Sequence, residues 1–241
     1  MDQHLITRRR LFRLGALTVL ASAVPPIIRR DNALAQTVVC NPDAPTTPAD
    51  ALAALLAGNA RWAAGTQEHP DEDTGRRTCV ATNPQTPFAS ILSCSDSRVP
   101  PELIFDQGLG DIFVARVAGN TASGRLIDTL LFGTSVLPSQ LLFVLGHTSC
   151  GAVIAAVNSF PKAHSLPFVN LIFPAVKSAR AIVKKLGGDP NNAAAVIPVA
   201  TSQNVKLTVE RLRKQFRANE SLQVSGGVYD LGTQVVSQVT A

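Results

Sequence analysis

Two short stretches hold the side chains best equipped for chemistry. The first is Cys94-Ser95-Asp96-Ser97-Arg98. A thiol, a carboxylate and a guanidinium alternate there, and in extended chain alternate side chains face the same way. The second, Gly146-His147-Thr148-Ser149-Cys150-Gly151, adds an imidazole and a thiol three residues apart, a spacing that lets one turn offer both to one ion. Thiolate, imidazole and carboxylate together suit zinc. Cys94, His147 and Cys150 make a Cys2His set with one position to spare, the arrangement of a catalytic zinc, whose fourth place takes water or substrate. Asp96 either fills that place or, clamped by Arg98 in a two-pronged charge-assisted pair, accepts a hydrogen bond from the water that does. In the second case zinc-bound hydroxide forms near neutrality. Two thiolates make that water less acidic than three neutral imidazoles would, so activity is expected to rise from neutral to alkaline pH. A Cys94–Cys150 disulfide is the alternative, and the adjacent Asp96 and His147 favour the metal.

Each cluster follows an apolar run. Residues 88–93 read as a buried strand leading to Cys94, and residues 141–145 as a second leading to His147. Between them the pattern predicts a short helix near 100–105, a strand over 112–116 ending at Gly119-Asn120, and a helix over 123–136. Gly151 opens a helix to about Ser159. Alternation of this kind defines an α/β fold with a central, mostly parallel β-sheet flanked by helices. Ligands in such sheets collect beyond the carboxyl ends of the strands, where both clusters fall. Upstream, Thr47 caps a helix with Pro48 in its first turn and a stripe of Leu52, Leu55, Leu56 and Trp62. Residues 65–87, charged and holding Pro70, Pro84 and Pro87, read as loop, and 160–173 as irregular. Helices are expected at 174–186, 190–200 and 203–217, the last capped by Ser202. Strands over 222–229 and 233–239, around the turn Asp230-Leu231-Gly232, add an edge to the sheet.

The chain has 241 residues, 46% of them hydrophobic, and a net charge of +5. The charge is uneven. Residues 1–35 hold six Arg and two Asp, and the remainder carries 16 basic against 15 acidic residues. A near-neutral body gives no electrostatic case for nucleic acid. Residues 1–35 read as a signal peptide: Arg8-Arg9-Arg10-Leu11-Phe12, an apolar run from Leu14 to Ile28, and Ala33-Leu34-Ala35 as cleavage site. The Arg9-Arg10 pair is similar to a twin-arginine signal. The apolar run, broken by Pro25-Pro26, is short for a bilayer span, so no stable membrane anchor is expected after cleavage. The expectation is export to a periplasmic or extracellular space, with residues 36–46 as a polar arm and 47–241 as a single catalytic domain. Cys40 and Cys79 have no ligand-like neighbours and read either as a surface bridge or as two inert thiols.

Cys94-Ser95-Asp96-Ser97-Arg98-Val99-Pro100, the run Gly110 to Asn120 and Gly146-His147-Thr148-Ser149-Cys150-Gly151 together resemble the β-class carbonic anhydrases. The likeness extends from about Leu52 to Val236. It implies one zinc ion per subunit on Cys94, His147 and Cys150, an Asp96–Arg98 catalytic dyad, and reversible hydration of carbon dioxide to bicarbonate and a proton. It also implies that Gln85 is a substrate-side glutamine and that the Gly151 N–H faces the substrate. Phe113 and Ala118 match positions that line the apolar pocket from a neighbouring subunit, so a homodimer or tetramer is implied. Leu131-Phe132 stand where the family often has Glu-Tyr, and Ile91 where a bicarbonate-inhibited subgroup has tryptophan. Relatives that hydrolyse carbonyl sulfide or carbon disulfide share these ligands, and a closed, non-enzymatic zinc site is a further alternative.

Overall fold

The apolar run before Cys94 forms β1, Ala89–Ser93, every residue of it buried. It lies inside a five-stranded sheet with β2 (Ile112–Arg116), β3 (Leu141–His147), β4 (Gln223–Tyr229) and β5 (Val236–Gln238), in the order β2-β1-β3-β4-β5. The first four strands are mutually parallel, and β5 runs antiparallel to β4. This is the computed structural model of the chain, and it describes residues 39–240. The signal-peptide reading of residues 1–35 lies outside them. None of the described helices is long and apolar enough to cross a membrane.

Alternation along the strands divides the core between the two faces of the sheet. Ile91, Leu141, Phe143 and Leu145 join one buried cluster. Their partners come from α1 (Pro48–Ala64), α3 (Pro101–Ile104), α5 (Gly151–Ser159) and α7 (Phe173–Lys185). Leu92, Leu142 and Val144 join the other, with Leu130 of α4 (Gly124–Leu131) and Val205, Val209 and Leu212 of α8 (Ala193–Gln215). Phe105, just past α3, meets Phe143 edge to face at 5.7 Å. Gly58 of α1 permits this packing: a Cβ there would overlap the carbonyl of Phe105.

Several expectations are corrected. The stretch 65–87 contains a helix, α2 (Thr74–Thr82), started by Asp73, whose side chain accepts the Arg76 N–H. It has no apolar stripe. It is held instead by the Arg76 guanidinium, buried against Asp111 at 2.7 Å, and by a disulfide between Cys79 and Cys40. The same contacts tether the arm, where Asn41 donates to Asp111 at 2.9 Å. The two helices expected around residues 190–217 are one, α8, which runs through Pro198. Buried Val196, Ala200, Asn204, Val205 and Thr208 keep helical spacing across the proline, and their packing outweighs the one backbone bond it removes. Ser202 therefore lies inside the helix, and Asn192 is the cap. The helix expected over 123–136 changes at Phe132 to a π-turn, Phe132–Val136. A short helix, α6 (Pro167–Asn170), interrupts the stretch 160–173. The last strand shrinks to β5, because Asp230 Oδ1 accepts the N–H groups of Gly232 and Thr233 and extends the turn.

Candidate metal centre

Register sets the site. Ser93, the last residue of β1, pairs with Leu145 on one side and with Arg116, the last of β2, on the other. Cys94 thus leaves the sheet two residues short of the end of β3, beside His147. Thr148 and Ser149 then turn the chain, Ser149 with a positive φ of 57°, and Cys150 caps α5. The turn is fixed from β4, with Thr148 N–H donating to the Tyr229 carbonyl at 2.9 Å.

These turns bring one ligand atom each of Cys94, His147 and Cys150 within 4.8 Å of one another, all three residues buried. His147 Nδ1 lies 2.9 Å from the Thr148 carbonyl. A carbonyl only accepts, so Nδ1 carries the proton and Nε2 the lone pair. That Nε2 is buried with no hydrogen-bond partner, which in a native protein calls for an explanation. Cys94 is the thiolate of the pair, with a pKa of about 4. The Cys150 hydrogen bond to its sulfur is the main cause; burial opposes it, while the Gly119 N–H, 3.3 Å from the sulfur, helps. The Cys150 thiol is pushed up by its hydrogen bond to Cys94 and then by burial. A basic imidazole nitrogen, a thiolate and a thiol whose proton a bound metal would displace to solvent fit zinc.

Asp96 lies at the rim and is not one of these three. Its Oδ1 accepts from Arg98 N–H at 3.0 Å and Nε at 2.9 Å, and its Oδ2 from the second guanidinium nitrogen at 2.8 Å. This clamp holds its pKa far below the usual carboxylate range. Oδ2 is 3.9 Å from His147 Nε2, so the carboxylate is close to the cluster while engaged with Arg98. Gly151 opens α5 directly beyond Cys150, and a Cβ there would meet nothing within 4 Å.

Of the remaining residues singled out from the sequence, Ala118 directly precedes Gly119, whose N–H lies 3.3 Å from Cys94 Sγ, while Phe113 and Gln85 lie farther back along the chain. Ala118 is in the short 3-10 turn Ala118–Asn120. Phe113 is half-buried on β2, three residues before Arg116, and packs on Phe132 at 6.1 Å. Gln85 is exposed and precedes β1, whose five residues span about 16 Å before Cys94 begins. Sequence reasoning gave no role to Arg116, which donates to the Cys94 carbonyl at 2.9 Å and to the Asp96 carbonyl at 2.6 Å. Its only signal was position, a charge ending an apolar strand. Nor did it assign Asn204, whose side chain donates to the Gly119 carbonyl at 2.9 Å and so holds the turn that donates to Cys94.

With this sheet and this cluster, comparison with known proteins is specific. The carbonic anhydrase family model matches residues 89–236. The chain belongs to the carbonic anhydrase family, and its fold places it in the β class. Carbonic anhydrase 2 of Mycobacterium tuberculosis is 41% identical over 140 residues, 56% of this chain and 67% of that protein. A carbonic anhydrase of Mycolicibacterium smegmatis is 43% identical over 114 residues, 47% of this chain and 55% of that one. The β-carbonic anhydrase of Coccomyxa, solved with acetazolamide, superposes with a TM-score of 0.59 at 28% identity, covering 78% of this chain and 86% of that one.

Proposed function

We propose that this chain catalyses the reversible hydration of carbon dioxide to bicarbonate and a proton, with one zinc ion per subunit held by Cys94, His147 and Cys150. The observation that carries the reading is the buried, unpartnered His147 Nε2, grouped with two thiol sulfurs and 3.9 Å from the Asp96 carboxylate. Zinc supplies a Lewis acid that makes water a nucleophile near neutral pH. The chain's own groups do the rest. Asp96, kept ionised by Arg98, accepts a hydrogen bond from the attacking water and aims its oxygen. Arg116 fixes the backbone carrying both Cys94 and Asp96. Gly151 leaves room for the substrate before the first turn of α5 and offers its N–H.

Carbon dioxide has no net dipole, so the pocket beside these groups should be apolar. Phe113 and Ala118 fill that role from a second subunit, with Gln85 at its polar side. A homodimer is supported by β2, an edge strand, and by Leu131, Phe132 and Val136 next to it, which are 47%, 44% and 68% exposed. We further infer export through the twin-arginine-like segment at residues 1–35. The Cys40–Cys79 disulfide supports that reading, since such bonds persist in oxidising compartments.

Stopped-flow hydration of carbon dioxide by the zinc-loaded chain tests the function, at neutral and mildly alkaline pH and with carbonyl sulfide in parallel. Turnover favoured at alkaline pH is expected, and Asp96→Asn should lower it about 10²–10⁴-fold with zinc content unchanged. Full zinc occupancy with no turnover of carbon dioxide overturns the reading.

A further inference from the structure

Asn204 stands in the middle of α8 and is 5% exposed. Val196, Ala200, Val205, Val209 and Leu212 of the same helix are buried in the two apolar clusters. An amide among them is costly unless a hydrogen bond answers it, and asparagine is a poorer helix former than leucine. The bond it makes reaches outside its own helix. Asn204 Nδ2 donates to the Gly119 carbonyl at 2.9 Å, across a separation of 85 residues.

The turn it reaches is tied at its other groups as well. Val117 N–H donates to the Ser93 carbonyl at 3.0 Å, and Asn120 N–H to the Val117 carbonyl at 2.9 Å. The peptide between Gly119 and Asn120 is thus held at both ends, its N–H by Val117 and its carbonyl by Asn204. Gly119 has a positive φ of 69°, and a Cβ there would come within 2.8 Å of Ile172 Cδ1, so glycine is required. Glycine also rotates readily about its own bonds when nothing restrains it. Such rotation would turn away the Gly119 N–H, which lies 3.3 Å from Cys94 Sγ.

We propose that Asn204 is a positioning residue for the metal centre: through the Gly119 carbonyl it keeps the Gly119 N–H on the Cys94 sulfur. A hydrogen bond to a thiolate is charge-assisted. It draws electron density from the sulfur and tempers what that sulfur gives to a bound metal. The inference rests on Cys94, His147 and Cys150 being the metal ligands.

Cobalt(II) in place of zinc gives a readout independent of carbon dioxide turnover, the sulfur-to-cobalt charge-transfer band in the near ultraviolet. Asn204→Leu and, at neutral pH, Asn204→Asp both leave the Gly119 carbonyl without its donor. In each the band should move to longer wavelength, because a sulfur relieved of its hydrogen bond gives up electron density more easily. Each should also hold zinc about 10–100-fold less tightly against a chelator. Val209→Ala removes buried methyl groups from the same helix. It should lower Tm and leave the band in place, which separates loss of stability from loss of the hydrogen bond. The proposal is overturned if both Asn204 variants leave the band unmoved, or if Val209→Ala moves it as far. Lack of any such band in the unaltered, cobalt-loaded protein would instead refute the metal ligands, and this inference with them.

Discussion

Arg116 holds two backbone carbonyls with one guanidinium, those of Cys94 and Asp96. Both bonds are to backbone, and they fix the segment from which one proposed zinc ligand and the proposed water acceptor both project. Groups of this kind around a metal commonly govern its retention. Arg116→Gln is therefore expected to release zinc to a chelator with an affinity loss of about 10–100-fold, measured by metal analysis after competition. The contrast with Asp96 shows what was legible at this scale. Asp96 and Arg98 are two residues apart and pair side chain to side chain, so spacing exposes them. The partners of Arg116 are carbonyls 20 and 22 residues away along the chain, and every residue has a carbonyl. Side-chain pattern cannot show such a bond; only the register of β1 on β2 can.

Among elements, the turn after α3 depends on one carboxylate. Asp106 is buried, has a positive φ of 47°, and accepts from Arg61 Nε at 2.6 Å and from the N–H groups of Glu68 and His69 at 3.0 and 3.1 Å. Burial pushes its pKa up, but the Glu68 N–H, the Arg61 guanidinium and the His69 N–H outweigh it, and the net shift is downward. The stabilisation is thus present above the ordinary carboxyl pKa of about 4 and is lost as pH falls through the lower native value. Asp106→Asn should cost about 1–3 kcal/mol at neutral pH, and urea titrations should show its deficit shrinking in acid. The helices here were unevenly legible. α1 carries an apolar stripe and a capping threonine and stands out in the sequence. α2 has a cap in Asp73 but no apolar stripe, because a disulfide and a buried Arg76–Asp111 pair hold it, and both partners lie far off in the chain. Ser202, read as a cap, made α8 look like two helices, since the packing that keeps it continuous there comes from β-strands and α7, which lie elsewhere in the chain.

On the scale of the whole molecule, the strand order β2-β1-β3-β4 was implied only as a parallel sheet. Alternating strands and helices specify parallel pairing, while neighbour choice rests on long-range packing that periodicity does not record. The Cys40–Cys79 bond, across a separation of 39 residues, limits the unfolded chain and ties the arm to α2. Replacing both cysteines by serine is expected to cost about 2–4 kcal/mol, visible as a Tm several degrees lower; a dithiol reductant should lower the unaltered protein equally and leave the variant unmoved. The two rims of the sheet are unequal. β5 closes one with three residues, while β2 leaves five at the other, beside the exposed Leu131, Phe132 and Val136. A short strand makes a poor template for pairing. Two copies meeting rim to rim at β2 across a two-fold axis would leave only their β5 ends facing outward. Assembly through that strand would therefore stop at the pair, and the same inequality that invites a mate would guard against a fibre.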